Sequence, residues 1–256
     1  MKNKKFLVFI IGLFVAATAG AQEFKIAKTT GRLEIHTGKV TVEGHNGNEI
    51  IFSGSGSKGS KDKRAEGLTA LNSLGLQDNT GLGINVTEKG NVIEVYQLKK
   101  TSSPDITIKV PKGVIVSFTH ESQYGGTARF KNLENEIEVS AQYNSVELEN
   151  VTGPLTVKTI YGGVDASFGS SIRNPVSIVS VYGHVDVSLP TTTKANLKMS
   201  TSYGEIFVAP EFNLEVDKRG GMIVVSDRVS GKLNGGGELS IDLTANYGKI
   251  YLRKKA

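Results

Sequence analysis

The chain has 256 residues, with 30 Lys and Arg against 25 Asp and Glu, 30 Gly and no Cys. Its formal charge of +5 falls to +2 if Lys2, Lys4 and Lys5 are removed with a leader, and no basic stripe with interleaved aromatics is present, so nucleic acid has no electrostatic basis as a partner. Without cysteine there is no disulfide framework, no thiolate metal site and no cysteine-borne lipid anchor, and the many Gly, Val, Ile and Thr residues favour strands.

In chain order, Lys2, Lys4 and Lys5 precede an apolar run from Phe6 to Ala17, and Ala19-Gly20-Ala21 supplies the small residues that signal peptidase accepts. Residues 1–21 therefore read as a signal peptide. An apolar run of about a dozen residues is shorter than the ~20 a membrane span requires. No permanent span is expected, and the mature chain from Gln22 is expected in the periplasm or outside the cell, as a single domain covering residues 22–256.

Residues 22–110 read as N-terminal strands. The alternation of Thr37-Gly38-Lys39-Val40-Thr41-Val42 marks an early strand. The polar stretch GSGSKGSKDKRAEGL, Gly54 to Leu68, then interrupts the pattern, and residues 54–83 are expected to form an exposed loop with one helical turn around Ala65 to Leu71, joining two strands of a hairpin. Strand character returns at Gly83 to Val86 and Val92 to Val95. DITIKVPKGVIVSF follows as strand, turn at Pro111-Lys112-Gly113, and strand.

From residue 111 to 256 the chain repeats. Tyr124, Tyr143, Tyr161, Tyr182, Tyr203 and Tyr247 are separated by 19, 18, 21, 21 and 44 residues, the last spacing being about two periods. Six and four residues before each Tyr stand Phe118/His120, Ile137/Val139, Leu155/Val157, Val176/Ile178, Leu197/Met199 and Ile241/Leu243, apolar in eleven of twelve cases. A small residue precedes each Tyr by two: Ser122, Ala141, Thr159, Ser180, Thr201 and Ala245. Apolar residues return three and five after it, as Val146/Leu148, Val164/Ala166, Val185/Val187, Ile206/Val208 and Ile250/Leu252, with Ala128 and Phe130 displaced by an extra residue at Gly125-Gly126. Leu214, Val216, Ile223 and Val225 fit the same template with Gly220 in place of Tyr.

Alternation places one set of side chains inside and the other outside, so each period supplies two short strands, and coils stacked by parallel pairing bury what a single period cannot. The fold expected is all-β: a β-solenoid of parallel β-helix type with about seven or more turns and an N-terminal hairpin and loop cap. The residue after Tyr is Gly or Asn, the types that tolerate a left-handed backbone, which marks a corner. The small residue before Tyr leaves room for its ring, and the rings are expected to stack about 4.8 Å apart.

The Gly-x-Val-x-Val units at Gly38 to Val42 and Gly183 to Val187, the DITIKVPKGV segment and the Tyr-Gly corners resemble the bacterial putative-adhesin family of β-solenoid domains of unknown function. The resemblance spans most of residues 31–252. It implies an exported, surface-associated β-solenoid and supplies no catalytic residues.

Four residues after Tyr, Glu147, Asp165 and Asp186 face outward on neighbouring turns. Such a column could gather oxygen ligands for calcium, but Phe207, Val224 and Tyr251 occupy it further on, no Arg or Lys pairs regularly with the acids, and a solvated acidic face is the expectation. His36, His45, His120 and His184 lack ligand spacing, and no nucleophile or phosphate-loop motif occurs. No catalytic, metal or cofactor site is assigned. Ile160, Val179 and Val181 are expected to project from one face, and Phe207, Val224 and Tyr251 from the other, as an interaction surface, unless residues 54–83 fold back over one patch. The function expected is a non-enzymatic exported module that binds an envelope polymer or protein. The alternative is a carbohydrate-active parallel β-helix enzyme with calcium on the carboxylate ladder.

Overall fold

The computed structural model describes residues 22–54, 63–170, 172–216 and 227–255. Strands β1 (Gln22–Ala27), β2 (Thr30–His36), β3 (Val40–His45) and β4 (Glu49–Gly54) precede a 3-10 turn at Lys63–Ala65, which is followed by β5 (Ile84–Lys89), β6 (Val92–Gln97), β7 (Ile106–Pro111) and β8 (Gly113–His120). The repeat region adds β9 (Thr127–Lys131), β10 (Ile137–Ala141), β11 (Ser145–Glu149), β12 (Leu155–Thr159), β13 (Val164–Ser167), β14 (Val176–Ser180) and β15 (Val185–Leu189). The chain ends with β16 (Ala195–Thr201), β17 (Ile206–Val208), β18 (Leu214–Val216), β19 (Asp227–Leu233), β20 (Ser240–Ala245) and β21 (Ile250–Lys254).

These strands form two open sheets, ordered β1-β4-β7-β3-β9-β11-β13-β15-β21-β17 and β18-β19-β16-β20-β14-β12-β10-β8-β2-β6-β5. The first strand of each Tyr-Gly unit lies in one sheet and the second in the other, so every unit is one rung. Strand β12 shows why: Leu155, Val157 and Thr159 are buried while Thr156 and Lys158 are exposed, and Val157 lies in register between Val139 and Ile178. The expected inward columns of β9 to β16, β20 and β21 form one continuous core, against which Ile206, Val208 and Leu214 are partly buried, while Val216 is exposed. The extra residue at Gly125-Gly126 is absorbed as expected, with Val146 opposite Ala128 and Leu148 opposite Phe130.

Spatial order departs from sequence order at the C-terminal end. β20 pairs with both β14 and β16, and β21 with both β15 and β17, so the last rung in sequence is inserted beneath the one that precedes it. At the N-terminal end, β6 and β7 stack outside β2 and β3.

Antiparallel strands close the ends: β5 on β6, β4 on β7 with β1 beyond it, and β19 on β16. Residues 54–83 therefore do not join two hairpin strands. The strands on either side of them, β4 and β5, lie in different sheets, and the hairpin is β5–β6, turned at Gly90 with a φ of 60°. The helical turn falls at Lys63–Ala65, ahead of the expected position.

The loop lies at the end of the stack opposite Phe207, with Leu68, Leu71 and Leu74 largely exposed, so its described residues do not cover that patch. Leu214 to Val216 is not a further coil either, because β18 runs antiparallel to β19. Gly220, Ile223, Val224 and Val225 lie outside the described residues, as does the expected signal peptide, residues 1–21. Among the described residues, no helix is long and apolar enough to cross a membrane.

Candidate functional site

The tyrosines line one corner of the stack. Rings of Tyr143 and Tyr161 lie 4.9 Å apart, Tyr161 and Tyr182 5.2 Å, Tyr182 and Tyr247 4.9 Å, and Tyr247 and Tyr203 5.0 Å. Interplanar angles of 8° to 17° make this a continuous stack of five rings in spatial order, and Tyr124 stands exposed outside it. The backbone holds the corner rung by rung, with Tyr161 N donating to Gln142 O at 2.7 Å and Tyr182 N to Ile160 O at 2.8 Å.

Two causes inferred from sequence need correction. The residues after Tyr do not adopt a left-handed backbone: the positive-φ positions of the described chain lie elsewhere. From the Tyr161 rung onward close approach excludes a Cβ, one on Gly162 sitting 1.7 Å from the Asn144 carbonyl oxygen and one on Gly204 1.8 Å from that of Gly248, whereas the Tyr143 rung carries Asn144 in the same position. The small residue before Tyr does not make room for the ring either. Thr159, Ser180 and Thr201 are buried while the rings face solvent, and the hydroxyls satisfy corner carbonyls, Thr159 donating to Gly162 O at 2.7 Å and Ser180 at 3.0 Å. A buried carbonyl without such a donor is costly, which favours Ser and Thr at this position.

Beside the ladder, Ile160 and Val181 occupy neighbouring rungs immediately before Tyr161 and Tyr182, and Val179 lies on β14 next to them; all three are only partly buried. Phe207 and Tyr251 meet on the outer face of the other sheet, stacked at 5.4 Å, with Phe207 44% exposed. Lys249 Nζ lies 5.5 Å from the Phe207 centroid, and the Arg253 guanidinium 4.9 Å from that of Tyr251. Val224, the third residue expected in this patch, lies outside the described residues.

Register does align Glu147, Asp165 and Asp186, but the expectation that no base accompanies them is overturned. Arg129 Nε donates to Glu147 at 2.7 Å, His184 Nε2 lies 3.0 Å from Asp165, and Arg253 Nε donates to both oxygens of Asp186 at 2.8 Å. The hydrogen bond to Asp186 raises the Arg253 pKa above its ordinary value. Among the described residues, no cluster of three His, Asp or Glu is arranged to hold a metal ion.

His120 occupies its expected inward column, with Nδ1 2.8 Å from Asn144 Oδ1 and Nε2 without a partner among the described residues. Burial lowers its pKa. The Asn144 amide also donates to Gly38 O, so this polar pair ties the early rung of β2 and β3 to the repeat region.

Two parallel-stacked sheets with an aromatic corner define a β-solenoid-like repeat protein. Residues 129–250 match the family model described as Toastrack DUF4097, a domain family of unknown function, and the resemblance drawn from the Tyr-Gly corners holds over that segment. No curated protein matches the chain. Among solved structures, a putative cell adhesion protein from Clostridium sporogenes is similar over 92% of this chain and 100% of its own, at 15% identity and a TM-score of 0.48. A putative adhesin from Bacteroides fragilis is similar over 93% of this chain and 98% of its own, at 12% identity and a TM-score of 0.39.

Proposed function

We propose that this protein is an exported, non-enzymatic binding module of the bacterial envelope or cell surface, and that the tyrosine corner is its contact surface. The observation that carries this reading is the exposed five-ring stack. Each ring face packs on its neighbour, so solvent meets a straight row of ring edges and phenol hydroxyls held in register by the rungs. Binding to such a row orders few side chains, which keeps its entropic cost low. Ile160, Val179 and Val181 add apolar area beside it, and Phe207 with Tyr251 offers a second contact strip. The partner that suits this shape is an extended envelope polymer or a flat protein surface. What weighs against the alternative enzyme reading is that each acid of its calcium ladder already has a partner in Arg129, His184 or Arg253.

The test is retention of the mature protein on immobilised envelope polymers, comparing wild type with Tyr161→Ala/Tyr182→Ala. Loss of retention without loss of fold supports the proposal. Undiminished retention by the double variant refutes it, as does release of reducing ends or unsaturated sugars from a bound polysaccharide.

A further inference from the structure

The corner opposite the tyrosines carries a groove of about 600 Å³. It crosses the connections that follow β3, β7, β9, β11 and β13, with Lys112 after β7 at one end and Arg173 after β13 at the other. Asn135 bonds the Pro111–Val114 turn directly, so Lys112, just before β8, lies three rungs from Arg173, just before β14, or roughly 14 Å along the stack at about 4.8 Å per rung. The groove runs along the stack and lies apart from the tyrosine surface.

Its walls are built by left-handed asparagines. Asn132 and Asn150 both have a φ of 53°, which asparagine tolerates better than most residues. The shared conformation aligns their amides on adjacent rungs, Asn150 Nδ2 donating to Asn132 Oδ1 at 2.9 Å. Asn135 fixes the floor, its Nδ2 donating to the Pro111 and Val114 carbonyls at 2.7 Å each. Thr152 and the free lone pairs and N–H groups of the two wall amides complete a lining that both donates and accepts.

The charge is asymmetric. Lys112 pairs with Glu134 at 2.8 Å, whereas Arg173 is exposed and has no ion pair among the described residues. Two cations against one carboxylate leave an open guanidinium fork, whose geometry suits a carboxylate bidentately. Backbone donors along the corner are already used between rungs, Asn132 N to Glu149 O at 2.9 Å, Asn150 N to Ser167 O at 2.9 Å and Thr152 N to Leu133 O at 2.8 Å. An extended peptide therefore finds no strand edge there to pair with. Sugar hydroxyls, which donate and accept like the lining, find partners along its length.

We infer that this groove binds a short linear segment of an acidic polysaccharide, a uronic-acid-containing glycan, with Arg173 on a carboxylate and the Asn132, Asn150 and Thr152 side chains on ring hydroxyls. Titration calorimetry of the mature protein with short oligogalacturonides tests it, beside their carboxyl-reduced counterparts and poly-glutamate. The oligogalacturonides are expected to bind and the other two not to. Arg173→Ala is expected to weaken binding by about tenfold or more, the value of a hydrogen-bonded charge, and Arg173→Lys to restore only part of it. Lys198→Ala, on the outer face of β16, should change nothing. The inference is overturned if oligogalacturonides do not bind, if the reduced sugars or poly-glutamate bind equally, or if Arg173→Ala leaves affinity unchanged. Tyr161→Ala/Tyr182→Ala should leave this binding intact, so the groove and the tyrosine corner can fail separately.

Discussion

Replacing Gly162 tests why the corners carry glycine. A Cβ there would lie 1.7 Å from Asn144 O and 2.4 Å from Asn144 C, both backbone atoms that cannot rotate away. Reaching the 3.0 Å minimum from the oxygen requires the two rungs to part by about 1.3 Å (3.0 less 1.7). The adjacent bonds, Tyr161 N to Gln142 O at 2.7 Å and Val146 N to Gly163 O at 3.0 Å, would then stretch beyond hydrogen-bonding range. Two such bonds at about 1 kcal/mol each, with about 1–3 kcal/mol of overpacking strain, give a loss of about 3–5 kcal/mol for Gly162→Ala. Gly162→Asn should be equally damaging. Gly90 supplies the contrast, with a φ of 60° and open space around it, so Gly90→Asn should cost less than about 1 kcal/mol. Urea midpoints at constant m-value measure all three. Near-native stability for Gly162→Asn would mean that backbone conformation, and not rung contact, selects the residue.

Other expectations follow from burial, charge and export. Val157 is 1% exposed, so Val157→Asp should lose more than about 4 kcal/mol, whereas Lys158→Asp on the outer face should change stability by about 0.5 kcal/mol or less in thermal melts. The His120 pKa is lowered in the folded chain, so the unfolded chain binds more protons just below its ordinary value of 6.5. Stability should therefore be full above about pH 6.5 and fall as pH drops toward the folded pKa, and His120→Gln should flatten that part of a urea-midpoint profile. Intact mass of exported protein should show a chain beginning at Gln22; retention of residues 1–21 would make the module tethered.

The inward columns were readable because strand alternation depends on only two classes of residue, and the single polar member, His120, still points inward. Ring stacking was readable for the same reason: equal spacing from the strand ends brings five of the six tyrosines to the same height on their rungs, and Tyr124, whose unit carries the extra residue at Gly125-Gly126, falls outside. Spatial order was not. The unit around Tyr247 carries the same template as that around Tyr203, so either could follow Tyr182, and nothing in the periodicity states that β20 and β21 slip between β14–β15 and β16–β17. Composition also misleads on cause, because glycine serves both left-handed turns and close backbone contact, and only the three-dimensional neighbour tells them apart.

The residues of the proposed contact surfaces were legible in inverse proportion to how far their neighbours in space lie along the chain. Ile160, Val179 and Val181 could be grouped from the repeat alone, whereas the exposed tyrosine corner beside them reads in the sequence only as a folding feature. Arg253 reaches Asp186 across 67 residues and from a neighbouring outward column, so scanning one column for charge pairs misses it. The asparagine corner did leave a signal, since Asn132 and Asn150 each follow the second strand of a rung, where a residue tolerant of positive φ turns the chain back. The two corners are therefore physically unlike. One turns at close-packed glycines and presents aromatic edges; the other turns at left-handed asparagines and presents amides between two cations. If both proposals hold, contact with a long polymer through the first leaves the second to distinguish an acidic chain from a neutral one, and the separate variants at Tyr161/Tyr182 and Arg173 resolve affinity from discrimination.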